Sequence, residues 1–77
     1  MIVKHLRWMS ETRYYTATLY YDLLGDLLLM RSYGGRASRL GQIRITSMQS
    51  EAEGRRKLAA LDKLRRKHNY TLLTGNS

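Results

Sequence analysis

Three glycines and two arginines fall within the short stretch Tyr33-Gly34-Gly35-Arg36-Ala37-Ser38-Arg39-Leu40-Gly41-Gln42. Glycine lacks a Cβ, so such a backbone can take φ > 0 and approach a partner closely. Arg36 and Arg39 add planar, permanently charged forks that match pairs of phosphate oxygens. Backbone N–H groups of Gly34 and Gly35 together with those guanidinium groups would form a cradle for a phosphate diester. The plainer alternative is a β-connection that needs glycine only to turn, and isolated glycines do not separate the two. Two other phosphate motifs are excluded: no Gly-Lys-Ser/Thr follows, and the glycines do not make Gly-x-Gly-x-x-Gly.

Composition points the same way. Fourteen Lys+Arg against six Asp+Glu give 77 residues a net charge of +8 and a pI near 10.3. That is above the value of about 9 that marks nucleic-acid-binding domains. Ten of the fourteen cations are Arg, which favours bidentate phosphate contacts over diffuse attraction. An acidic protein surface is the second class of partner, because charge alone does not identify what it attracts. Catalysis is not expected: His5 and His68 belong to no metal-ligand pattern, the acids sit mostly in turns and a first helical turn, and no serine has a convincing base. No metal or cofactor is expected either, and the absence of Cys removes disulfides and thiolate sites. The longest apolar run, Leu27-Leu28-Leu29-Met30, is far short of the roughly 18 residues of a membrane span, and no signal peptide opens the chain. A soluble, cytoplasmic protein without a membrane partner is therefore expected.

A chain this short buries only about 60% of its unfolded surface, so one small core must position the loop. Ile2 to Met9 reads as a short edge strand, with Trp8 in the core or on the surface. From Arg13 to Asp22, Tyr15, Ala17, Leu19 and Tyr21 alternate with Tyr14, Thr16, Thr18 and Tyr20, as in a half-buried strand. Gly25-Asp26 signals a hairpin into a third strand, Leu27 to Ser32. Ile43 and Ile45 alternate with Gln42, Arg44 and Thr46 in a fourth strand ending near Met48. Ser50 and Glu53 form a capping-box pair that starts a helix, with Leu58, Leu61 and Leu64 as its apolar stripe and Asn69 as its stop. Tyr70, Leu72 and Leu73 dock back on the core. The expected fold is α+β: a small twisted antiparallel sheet of three to four strands with one C-terminal helix packed on one face. A single domain spans 1–73 and residues 74–77 form a frayed tail.

On that helix Arg56, Lys63 and Lys67 share one stripe that could track a phosphate backbone, or could simply be solvated. Tyr14 and Tyr20, outward on the second strand if Tyr15, Ala17 and Leu19 face the core, could stack bases or pack across strands. The candidate contact set is Tyr33, Gly34, Gly35, Arg36, Arg39, Arg44, Arg56, Lys63 and Lys67. Tyr33 has two readings, as an aromatic that stacks on a sugar or base, or as a continuation of strand parity into the core. Arg36 could instead pin the loop to the helix.

Gly35-Arg36, apolar Ala37 and Gly41-Gln42 resemble the signature of the WGR domain, a module of poly(ADP-ribose) polymerases and of short bacterial proteins. Arg13-Tyr14, Gly25-Asp26 and Tyr70 follow in that family's order. Gly34 stands where the signature has Trp, unless an inserted residue moves that role to Tyr33, and Ser38 replaces a glycine. The resemblance implies a twisted antiparallel sheet with one helix and a nucleic-acid-binding role, with DNA favoured over RNA.

Overall fold

The computed structural model describes residues 1–37 and 40–76, the last three through their backbone alone. Its strands are β1 (Ile2–Met9), β2 (Arg13–Tyr21), β3 (Leu27–Gly35), β4 (Gly41–Ser47) and β5 (Thr71–Asn76), with α1 (Glu51–Lys67) between the last two. They form one five-stranded antiparallel sheet in the order β4-β3-β2-β1-β5, with α1 on one face.

The fold class is as expected, with one strand more. That strand is β5, which pairs with β1 through Trp8↔Leu72, Arg7↔Thr74 and His5↔Asn76 and so runs into the stretch read as a tail. Its pairing also makes β1 an interior strand, not an edge. The sequence signals that set turns and caps act as read. Gly25 adopts φ 86 in the β2–β3 turn, where Asp22 Oδ1 accepts from the N–H groups of Leu24 and Asp26. Ser50 Oγ accepts from Glu53 N–H at 3.1 Å to start α1, and Asn69, at φ 67, ends it.

The core lies between α1 and the sheet face that carries Tyr15, Ala17 and Leu19. Trp8 belongs to it and is 0% exposed, because its cross-strand partner is Tyr15. Its indole Nε1–H donates to Asp62 Oδ1 at 2.9 Å, tying β1 to the helix. At the other end of α1 the Tyr21 hydroxyl donates to Glu51 Oε2 at 2.8 Å. Only Leu58 of the expected leucine stripe is fully enclosed; Leu61 is half-buried and Leu64 is 42% exposed. Successive helical residues turn by about 100°, so Leu64 lies about 120° round from Leu58.

Candidate functional site

α1 packs mainly over β1, β2 and β5, leaving the same face of β4 and of β3 beyond the buried Leu27 and Leu29 open. Side chains two apart on a strand share a face, so Leu29, Arg31, Tyr33 and Gly35 line this strip of β3 in sequence. Opposite them on β4 are Thr46, Arg44 and Gln42. The wall is the flank of α1 that carries Lys57, Ala60, Leu61 and Leu64.

Two cavities lie end to end in this groove, over roughly 20 Å for six residues of strand. One, of about 350 Å³, has an apolar floor in Leu29 and Met48, continued by Leu61 and Leu64 of the wall, and is also lined by Arg31 and Lys57. The other, of about 300 Å³, is lined by Arg13, Tyr33, Gly34, Gly35, Leu40, Gly41 and Gln42. The glycine-rich segment thus does border a concave surface. Arg13 joins it because Arg13 is the cross-strand partner of Gly35.

The electrostatics of the groove follow from register. Arg31 and Arg44 are direct cross-strand partners and project on the same side. Neither side chain has a hydrogen bond or ion pair among the described residues, where the Asp62–Arg66 pair is the one salt bridge. Like charges placed opposite each other destabilise a sheet. Near the Tyr33 end, the Arg65 guanidinium lies 4.7 Å from the Tyr15 ring centroid and 5.3 Å from that of Tyr70. Its Nε is buried without a hydrogen-bond partner among the described residues.

The expected contact residues divide in this geometry. Tyr33, Gly34, Gly35 and Arg44 come together along the groove. Gly34 and Gly35 are part of β3, so the connection is shorter than the sequence suggests and runs from Arg36 to Leu40. Among the described glycines, Gly25 alone has positive φ, so the freedom expected of Gly34, Gly35 and Gly41 is not what they supply. The requirement at Gly34 and Gly41 is space: a Cβ there would meet the Tyr14 hydroxyl at 3.2 and 2.5 Å. Tyr33 stacks on Tyr15 at 5.2 Å and 9° and donates its hydroxyl to Gln42 Oε1 at 3.1 Å. One ring face is therefore in the core edge, while the residue still lines the cavity.

Arg36 has a structural task, and its anchor is not the helix. Its Nη1 donates to the carbonyls of Ser10 and Glu11, and its backbone N–H to Thr12, pinning this connection to the β1–β2 turn. Arg36→Ala should therefore lower stability by about 0.5–1 kcal/mol, a fall in Tm of about 2–8 °C in a thermal melt. An unchanged Tm would show the anchor to be idle.

Arg56, Lys63 and Lys67 lie roughly 140–180° round the helix from Leu58, on the face turned away from the sheet. None of the three lines the groove, although Arg56 and Lys63 neighbour Ala60 of its wall along the helix. Arg39 lies outside the described residues. Arg13, Arg31 and Lys57 were missed by reading motifs alone. The signal for Arg31 and Arg44 was present in their strand parity, but it required the register between β3 and β4. Among known proteins, the chain matches no family model, no curated protein and no solved structure.

Proposed function

We propose that this chain is a non-catalytic cytoplasmic module that binds nucleic acid, DNA before RNA, along the groove between α1 and the β3–β4 strip. The opposed, unpaired Arg31 and Arg44 carry this reading. A pair that weakens the free sheet becomes favourable when a phosphate lies between its members. Arg13 and Lys57 extend the cationic line in both directions, and Tyr33 offers an aromatic edge beside it. The resemblance of Gly35-Arg36 and Gly41-Gln42 to the WGR signature supports the same assignment.

Arg44→Gln tests the idea through two opposite effects. It should weaken DNA binding about tenfold or more, as loss of a charge-assisted contact does, yet raise Tm by about 1–5 °C by removing the like-charge pair. Lys63→Gln should do little to either. With four groove cations engaged, log K against log salt should have a slope of about −3 to −4. Titrations with duplex, nicked and single-stranded DNA and duplex RNA at two salt concentrations supply these values. Equal losses from Arg44→Gln and Lys63→Gln, or affinity independent of salt, would remove the groove from consideration.

The apolar floor favours a second reading in which an acidic amphipathic peptide fills the Leu29–Leu64 half of the groove. Binding of an acidic protein that survives excess duplex DNA would select it.

A further inference from the structure

Among the described residues no layer covers the face of the sheet opposite α1, and its chemistry differs from the rest of the molecule. Five charged side chains lie on the strands: Lys4, Arg7, Arg13, Arg31 and Arg44. Register places Lys4 opposite Leu19, Arg13 two residues before Tyr15, and Arg31 beside Arg44, all on the helix side. Arg7, opposite Thr16, is the one strand charge on the open face.

What occupies the β4–β3 end of that face, with Tyr20 of β2, is apolar and aromatic, while Thr16, Thr18, Ser32 and His5 share the rest of it. Ile43 and Ile45 are 64% and 57% exposed, and Leu28, Met30 and Tyr20 continue the patch across β3 and β2. A half-solvated antiparallel sheet ordinarily alternates apolar-in with polar-out. Here both sides of β3 are apolar over Leu27–Met30. Depletion of charge with enrichment in Tyr and Met is the composition of an interface core.

We infer that this open face is a dimer interface in which two copies of the chain pack sheet against sheet. Charge distribution selects the occupant. Two chains of net charge +8 repel, but a contact through this face keeps Lys4, Arg13, Arg31, Arg44 and the helix on the outside of the pair. A polyanion or acidic partner would find little on this face to read beyond Arg7. Size is also adequate: five strands at ~4.8 Å by about eight residues at ~3.3 Å give a plan area of about 600 Å². Two such faces approach the ~1,200 Å² of a specific interface. The pair would carry its two grooves on opposite outer surfaces, whatever ligand they take.

Sedimentation equilibrium of the purified chain from about 5 to 500 µM, at low and high salt, tests this inference. The expected result is a monomer–dimer equilibrium that tightens with salt as charge repulsion is screened. Ile45→Glu and Met30→Lys, on neighbouring strands, should each raise the dimer Kd at least tenfold. Leu64→Glu, exposed on the groove side, should leave it unchanged. A wild-type chain monomeric throughout the range would overturn the inference without recourse to any variant. So would a dimer disturbed by Ile45→Glu but not by a folded Met30→Lys, which would mean edge-to-edge pairing of β4. Loss of the dimer in Leu64→Glu would likewise overturn it, by assigning the contact to the groove. Circular dichroism confirms that each variant is folded; if Met30→Lys is not, Tyr20→Lys reads the same face from β2.

Discussion

Trp8→Ala is expected to lose about 3–5 kcal/mol, enough to leave much of the population unfolded in a small domain whose total stability is on the order of 5–10 kcal/mol. The indole is 0% exposed and meets Tyr15 edge-on at 5.7 Å and 69°, while Tyr15 stacks in turn on Tyr33. Its removal opens a cavity where β1, β2 and α1 meet and abandons the bond to Asp62. Asp62→Leu isolates the polar part: it leaves the buried N–H without an acceptor, a loss of about 1–3 kcal/mol. Urea denaturation of both variants provides the comparison, and a Trp8→Ala midpoint near that of wild type would contradict the packing.

The same contact sets an acid limit on the fold. Burial alone would push the Asp62 carboxyl up, but the hydrogen bonds from Trp8 and Arg66, with the charges of Arg66 and Lys4, outweigh it and hold the group below the usual carboxylate range. A folded pKa below the unfolded value of about 3.9 gives stability that is complete above that value and is lost as pH falls through the folded pKa. Tm should thus be flat from neutrality to about pH 5 and decline below about pH 4, less steeply in Asp62→Asn. Identical acid slopes in the two proteins would place the limit on other carboxylates.

Gly54→Ala should reverse the usual effect of that substitution. Alanine in a helix interior ordinarily gains about 1 kcal/mol over glycine. A Cβ on Gly54, however, would sit 2.5 and 2.7 Å from the two terminal carbons of Leu19 and 3.2 Å from its Cγ. Leu19 is fully enclosed, so either it leaves its position or α1 rises from the sheet. Overpacking of this kind costs about 1–3 kcal/mol, which exceeds the propensity gain, and Gly54→Val should be worse than alanine. Measured by urea denaturation, Gly54→Ala should be less stable than wild type. Adding Leu19→Ala to Gly54→Ala should then lose less than the two changes separately. A rise in stability for Gly54→Ala alone would mean that the helix moves outward freely.

Much of the framework was legible locally. Alternation put Tyr15, Ala17 and Leu19 together on one face of β2 before any pairing was known, since strand periodicity depends only on neighbours two apart; the helix decided that this face is the core. Gly25 and Asp26 marked the hairpin, and Ser50, Glu53 and Asn69 marked the helix, because turn and cap chemistry is exhausted within a few residues. Charge made a polyanion the expected partner. What the sequence could not decide was nonlocal. Trp8 is core because it faces Tyr15 across one strand pair and Asp62 across the helix, 54 residues away. β1 is interior because Thr71–Asn76 returns to its free edge. Leu64 and the cations of α1 were sorted by where the helix sits over the sheet, which its own periodicity does not specify. Arg31 and Arg44, thirteen residues apart along the chain, became a single cationic feature only when antiparallel register set them opposite each other, since proximity between strands is a property of the sheet and not of either strand alone.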